Sequence, residues 1–206
     1  MYVPRHFRHH EQSVLIEVMR SYPFATIVGT INGFIHASHI PVVVEEHNEV
    51  LDLHFHVSGA NPLAQLDNGH PLLIIFQGPH AYVSPAWYSN PQSVPTWDYV
   101  AVHAQGKCQI HADDASIHAG MERLIQTFEP RYLEHYRQLD PKYTEAMYRS
   151  IRSVSMRVEH LDGAFKLSQN KPEADRQVIA NELLQGDYNE QGVVDWMKKL
   201  RIIPSE

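Results

Sequence analysis

The sequence predicts an α+β protein, mainly β with helices, built on a closed or partly closed antiparallel barrel. Three observations point there. The first half is a series of short β-rich stretches punctuated by many of the chain's 13 prolines and 10 glycines. Neighbouring strands follow one another without intervening helices, unlike the alternating βα units of a doubly wound sheet. Closing an antiparallel sheet removes its exposed edges, which makes a barrel the natural end state. The predicted order is a β-rich half, a helical insertion, two late strands and a helical tail.

Taken in order, Glu11 to Arg20 places Val14, Leu15, Val18 and Met19 at helical spacing and predicts a short first helix. Phe24 to Ile31 and Phe34 to Val44 are β-rich runs joined by Asn32-Gly33, a pair suited to the positive φ angles of a type I′ hairpin turn. Val50 to Val57 alternates, with Leu51, Leu53, Phe55 and Val57 on one face and Asp52, His54 and His56 on the other, so it reads as a half-buried strand. Asn61-Pro62 has the form of an N-cap followed by Pro at the first helical position, and opens a short helix to Leu66. Pro71 to Phe76 is a continuous apolar run, expected to be a fully buried strand. Tyr82 to Ser84 and Tyr99 to Ala112 supply further strands around a loop rich in Pro and aromatics. Asp113 or Asp114 caps a helix to Phe128, and a second helical stretch covers Thr144 to Arg152. Val154 to Val158 and Ala164 to Leu167 read as a late strand pair around Asp162-Gly163. Asn170 looks like the N-cap of a helix ending near Gly186, and a last helix runs from Gln191 to Leu200.

Composition excludes several classes. A net charge of −7 with histidine neutral, and basic residues scattered except at Lys198-Lys199-Leu200-Arg201, disfavours phosphate-neutralising contacts with nucleic acid. That one basic patch suits the C-terminal end of a helix dipole. The first ten residues lack the apolar run of a signal peptide, and no window reaches the roughly 18 apolar residues of a membrane span, so the expected compartment is the cytoplasm. The single cysteine, Cys108, lies in an alternating run and reads as a small buried hydrophobe.

Three segments are denser in polar groups, Gly, Pro and aromatics than folding requires. In His56-Val-Ser-Gly-Ala-Asn-Pro62 a strand gives way to a helix. Backbone N–H groups there, with Ser58 and Asn61, suit either an anion site or simple helix capping. Phe76 to Tyr88, continued by Val94 to Tyr99, offers flat aromatic and proline surfaces beside hydroxyls, as a planar heteroaromatic ligand requires. The same rings, Trp87, Trp97 and Tyr99 among them, equally suit a core or a dimer interface. In Lys166-Leu-Ser-Gln-Asn170, strand alternation sets Lys166 and Ser168 on one face, with the lysine either solvated or paired with an anion. His54 and His56 share a strand face, but no third ligand converges in the sequence, so no metal site is assigned. Neither a Gly-x-Ser-x-Gly elbow nor a Gly-x-Gly-x-x-Gly fingerprint is present.

These three segments, in this order, resemble the PaiB family of FMN-binding split-barrel proteins, together with Met1-Tyr-Val-Pro and Phe7, His36-Ala-Ser-His-Ile-Pro41, and Pro172-Glu-Ala-Asp-Arg176. The likeness runs from about residue 1 to residue 180. It implies a six-stranded antiparallel split β-barrel over residues 1–170, with a helical insertion at about 113–152, and a helical tail over 171–206. It further implies FMN as cofactor, held near the interface of a homodimer. His56, Ser58 and Asn61 match the turn where related barrels hold the FMN phosphate. Tyr82, Ser84, Trp87 and Thr96 fall in the family's ligand-side loops, and Lys166, Ser168 and Gln169 in its late strand. His36, Ser38 and His39 are candidates by position alone. The chain departs from the family pattern at Asp98, where Asn is usual, at Ser155-Met156, where Gly-Phe is usual, and at Ala164, where a lysine is common.

The resemblance implies a flavin-dependent oxidoreductase in which the cofactor carries the electrons and the protein orients it. No catalytic residue is singled out. The family's usual name, a negative transcriptional regulator, gives a second expectation: a flavin-linked or non-catalytic regulator acting through protein partners or DNA. The acidic charge and the absence of a helix-turn-helix disfavour direct DNA reading. A haem-handling split barrel is the third expectation, consistent with fifteen histidines.

Overall fold

The computed structural model describes residues 1–48 and 50–204. Its strands are β1 (Arg8–His9), β2 (Phe24–Ile31), β3 (Phe34–Pro41), β4 (Val43–His47), β5 (Val50–Ser58), β6 (Pro71–Val83), β7 (Thr96–His111) and β8 (Ile151–Lys166). Its helices are α1 (Gln12–Ser21), α2 (Asp114–Phe128), α3 (Leu133–Arg137), α4 (Pro141–Tyr148), α5 (Glu173–Leu183) and α6 (Tyr188–Lys199). The sheet order is β3-β2-β6-β7-β8-β5-β4, with β1 added on β8, and the path is open at β3 and β4. This is a mostly antiparallel α+β fold of the split-barrel type. It has two strands beyond the expected six: β1 is only two residues long, and β4 is separated from β3 by Val42 alone. Among the described residues no helix is long and apolar enough to cross a membrane.

The chain forms two compact units, one of residues 22–76 and 103–161, the other of residues 1–21, 77–102 and 162–206. In the first, Asn32 (φ 51°) and Gly33 (φ 80°) make the two-residue turn that the sequence predicts, and β2 and β3 pair along their whole length. Strand β5 buries Leu51, Leu53, Phe55 and Val57 and leaves Asp52, His54 and His56 half-buried on its other face. It runs antiparallel to β8, from Asp52 opposite Arg157 to Ser58 opposite Ile151. The run at Pro71 is not buried on both faces. Leu72, Ile74 and Phe76 are buried, while Leu73 and Ile75 are half-exposed, so it alternates like an ordinary one-sided strand. Helix α2 starts at the Asp113 cap, whose carboxylate accepts from Ser116 N at 2.9 Å. The stretch predicted as helix to Arg152 stops at Tyr148, because Ile151 and Arg152 already pair with β5.

In the second unit α1 buries Leu15, Ile16, Val18 and Met19. Asp162-Gly163 is not a turn: β8 continues through it to Lys166, and His9 of β1 lies opposite Gly163. A Cβ on Gly163 would sit 2.2 Å from Leu15 Cδ2, so the glycine serves the close approach of α1 rather than a chain reversal. Ala164 is fully buried with Val3 and Phe7. Asn170 does not cap α5, since the residue before Glu173 is Pro172 and no side chain caps that end. Helix α6 starts three residues before the predicted Gln191, where Asp187 and Glu190 form a capping box.

Candidate functional site

In the unit of residues 22–76 and 103–161, the end of β5, the turn after it and strand β3 enclose a groove of about 590 Å³, lined by Ser38, His39, Pro41, His56, Ser58 and Asn61 among others. That volume lies within the range of about 300–1,000 Å³ typical of small-molecule sites. His56 and Ser58 arrive on β5. Asn61 precedes a 3-10 turn at Pro62–Gln65, with Pro62 at its first position. Asn61 Nδ2 donates to Ser38 Oγ at 2.9 Å and so ties the turn to β3, while its Oδ1 accepts from Leu63 N at 2.9 Å. His39 lies 3.0 Å from Thr26 Oγ1 and stacks on Phe24. Three residues assigned by the resemblance, and Ser38 and His39 by position, thus come together.

The turn's backbone amides are not available to an anion. Gly59 N donates to Ser150 O (2.7 Å), Ala60 N to Ser58 Oγ (3.3 Å), Asn61 N to Ser58 O (2.9 Å) and Ala64 N to Asn61 O (2.9 Å). With Leu63 N held by its cap, the turn satisfies itself, which is the capping half of the sequence-level alternative. The charge comes from a residue the sequence did not single out. Arg152 lies opposite Val57 on β8, and a Cβ on Gly59 would be 3.9 Å from its Nη1. Its Nη1 donates to the carbonyls of Ile151 (2.7 Å) and Arg149 (3.5 Å), and among the described residues no carboxylate pairs with it. The guanidinium therefore keeps its charge uncompensated beside the groove. Burial lowers the His56 pKa, so this imidazole is held neutral, with one donor and one acceptor nitrogen. His54, on the same face, is committed elsewhere: its Nε2 lies 3.1 Å from Glu45, which also binds Arg123 at 2.8 Å.

The remaining predicted residues belong to the other unit. Lys166 Nζ donates to Thr96 Oγ1 (2.6 Å), the Trp97 carbonyl (2.6 Å) and Asp98 Oδ1 (3.1 Å), which uses all three ammonium protons. Ser168, in the left-handed region at φ 57°, donates to Asp98 Oδ2 at 2.6 Å. Lys166 and Ser168 do share a direction, and what they share it toward is a fully buried carboxylate. Burial pushes the Asp98 pKa up, opposed by the Ser168 and Lys166 contacts. Gln169 folds back on its own strand, accepting from Leu167 N at 2.7 Å and donating to the Phe165 carbonyl. Ser84 caps the 3-10 turn at Pro85–Trp87 by accepting from Ala86 N at 3.2 Å. Tyr82 and Trp97 remain exposed, their ring centroids 6.0 Å apart, while Trp87 is half-buried. Sequence reasoning missed Arg152 and the burial of Asp98. The one signal for the second was the carboxylate standing where the resembling family has an amide.

With this geometry in view, comparison with known proteins is informative. Residues 1–160 match the family described as "Putative FMN-binding domain". The chain is 32% identical over 196 residues to the Bacillus subtilis (strain 168) "Protease synthase and sporulation protein PAI 2", covering 92% of this chain and 91% of that one. Among solved structures it resembles the flavocytochrome Anf3 from Azotobacter vinelandii, with a TM-score of 0.59 and 15% identity over 80% of this chain and 72% of that one. It also resembles the FAD and heme binding protein from Mycobacterium smegmatis, with a TM-score of 0.58 and 17% identity over 78% and 73%. At these identities the two structures speak to the fold alone.

Proposed function

The chain belongs to the PaiB family of FMN-binding split-barrel proteins, and from that premise we propose that it binds FMN in the groove of Ser38, His56, Ser58 and Asn61 and acts as a flavin-dependent oxidoreductase. The observation that carries this reading is Arg152, an uncompensated guanidinium beside a groove of ligand size. A planar fork of N–H donors matches phosphate oxygens and supplies the charge that the self-satisfied turn does not. The Ser38 and Ser58 hydroxyls and the Asn61 amide add neutral donors, and His56 offers a neutral imidazole to a polar edge of the ligand. FMN, when bound, supplies the electron-transfer chemistry; the protein's part is to bind it, orient it and limit water around it.

Tyr82, Ser84, Trp87, Thr96, Lys166, Ser168 and Gln169 enter this reading as flavin-side residues through the resemblance. Because the Lys166 protons are all engaged, its part is to hold Asp98 and the Thr96–Trp97 segment in place rather than to contact phosphate. A homodimer in the cytoplasm completes the proposal. A second reading, a regulator, draws support from the name of the Bacillus subtilis relative, a sporulation protein. With a net charge of −7, such a role runs through protein partners rather than DNA.

The test is the absorbance spectrum of freshly purified protein, followed by FMN titration of the apo form monitored by flavin fluorescence. A yellow protein, or saturable quenching at micromolar FMN, supports the proposal. Absence of both ends it, and a Soret band without flavin absorbance moves the assignment to haem. Tight, salt-steep DNA binding in a gel shift at low salt would favour a direct regulator.

A further inference from the structure

Helices α2 and α4, the α3 segment between them and the ends of β5 and β8 wall a second cavity, of about 660 Å³, that the flavin reading leaves unused. Four tyrosines line it, Tyr132, Tyr136, Tyr143 and Tyr148, and its apolar walls include Met121, Leu139 and Met147. Glu129 is the one carboxylate of the lining, and no lysine or arginine contributes to it. Its charge is not spent on the fold. At the start of the 3-10 turn of Pro130–Tyr132 its side chain caps nothing, and among the described residues no cation pairs with it. Arg137, next in sequence to Tyr136, is already held by Glu122 through Nε (2.6 Å) and Nη2 (3.3 Å).

Most hydroxyls of this cavity present oxygen rather than hydrogen. His118 Nε2 lies 3.5 Å from Glu122 Oε1, so that nitrogen carries the ring proton and Nδ1 is left as an acceptor. Tyr148 donates to Nδ1 at 2.7 Å, and Tyr136 donates to the Tyr148 oxygen at 2.5 Å. Burial and the contact with Tyr148 hold the Tyr136 phenol above its ordinary range, which keeps it a protonated donor to Tyr148. Thr144 Oγ1 donates to the Pro141 carbonyl at 3.0 Å, and Ser150 Oγ to the Met147 carbonyl at 2.6 Å. Four of the six hydroxyls in the lining thus commit their protons to the protein and keep lone pairs for a ligand. His56, whose pKa burial lowers, adds no positive charge. An anion here would meet a carboxylate and lone pairs without a counter-charge. A bare metal ion would find one carboxylate where it needs several oxygen ligands. An organic cation finds a counter-charge, phenol oxygens and tyrosine ring faces, all of negative potential. The thioether and aliphatic walls favour methyl groups on that cation over a strongly hydrated primary ammonium.

We propose that this cavity binds a monovalent methylated ammonium ion with an aromatic body, Glu129 supplying the counter-charge and the four tyrosines the cage. The volume leaves room for a ring beyond a trimethylammonium head, and a hydroxyl on that ring would find acceptors among Tyr136, Thr144 and Ser150. His56 also lines the groove assigned to FMN, but neither this site nor its test depends on a flavin.

The experiment is isothermal titration of the full chain with (3-hydroxyphenyl)trimethylammonium and with 3-tert-butylphenol, its neutral isostere. The pair shares shape, ring and hydroxyl and differs in charge. An apolar cavity without a preference for cations would take the phenol more tightly, because it is the more hydrophobic of the two. The ammonium ion is instead expected to bind saturably and roughly tenfold or more tightly than the phenol at low salt. Glu129→Gln keeps the shape and removes the charge, and is expected to weaken the ammonium ion by roughly three- to tenfold while leaving the phenol unchanged. Tyr143→Leu removes a ring that is 57% exposed, so the fold is spared, and is expected to weaken the ammonium ion more than the phenol. No saturable binding of the ammonium ion, a phenol that binds as tightly or more tightly, or a Glu129→Gln variant with unchanged preference between the two overturns the proposal.

Discussion

Replacing Lys166 by alanine strips a buried carboxylate of its cation. Asp98 is fully buried, Lys166 Nζ lies 3.1 Å from it, and the lysine side chain is only 20% exposed, so solvent screens the pair weakly. Breaking a buried pair from one side costs about 3–5 kcal/mol, because the remaining charge has neither water nor a counter-ion. The size of the loss depends on pH. The folded-state pKa of Asp98 is already raised by burial above its ordinary 3.8, so its contribution to stability is greatest in acid and is lost as pH rises through the folded value. Removing Lys166 raises that value further and moves the loss to higher pH. Urea unfolding of wild type and Lys166→Ala near pH 5 and near pH 8 is therefore expected to give a smaller difference at the acid end and about 3–5 kcal/mol at the alkaline end. Adding Asp98→Asn to Lys166→Ala removes the orphaned charge and is expected to recover most of the loss. A deficit below about 1 kcal/mol, or one equal at both pH values, would refute the reasoning.

Three further outcomes are expected. Asn61→Ala loses both the bond to Ser38 and the cap on Leu63, so chemical denaturation is expected to register about 1–2 kcal/mol and the FMN titration a weaker complex; unchanged values in both would remove Asn61 from the site. Gly106→Ala would set a Cβ 1.9 Å from the Arg157 carbonyl oxygen, and the variant is expected to lose more than about 3 kcal/mol or to fail to fold; a wild-type melting curve would contradict the close strand contact. His56 is depressed below 6.5, so it contributes stability above that pH which is lost as pH falls through its lower folded value. His56→Gln is expected to flatten the decline in unfolding free energy below pH 6.5, and parallel wild-type and variant curves would rule out that cause.

Local patterns were readable from the sequence, and long-range ones were not. Asn32-Gly33 dictates its turn through backbone sterics at two adjacent residues, and the alternation of Leu51 to Val57 reports one buried face whatever lies against it. Asp162-Gly163 misled because the same dipeptide serves a reversal or a close contact, and only the position of Leu15, far away in sequence, decides. Asn170 has the chemistry of a cap but stands too far from Glu173 to serve as one. At the candidate site, His56, Ser58 and Asn61 are close in the chain and were found together. Arg152 reaches them only through β5–β8 register, and Asp98 reveals its grip on Lys166 only through burial.

The central claim, that Arg152 and its groove hold the phosphate of FMN, is tested most directly by measuring FMN and riboflavin affinities side by side in wild type and Arg152→Ala. The two flavins differ only in the phosphate. Wild type is expected to bind FMN roughly tenfold or more tightly than riboflavin, and Arg152→Ala to erase that difference while leaving riboflavin binding unchanged. Equal affinity for both flavins in wild type, or a phosphate preference that survives in Arg152→Ala, would contradict it.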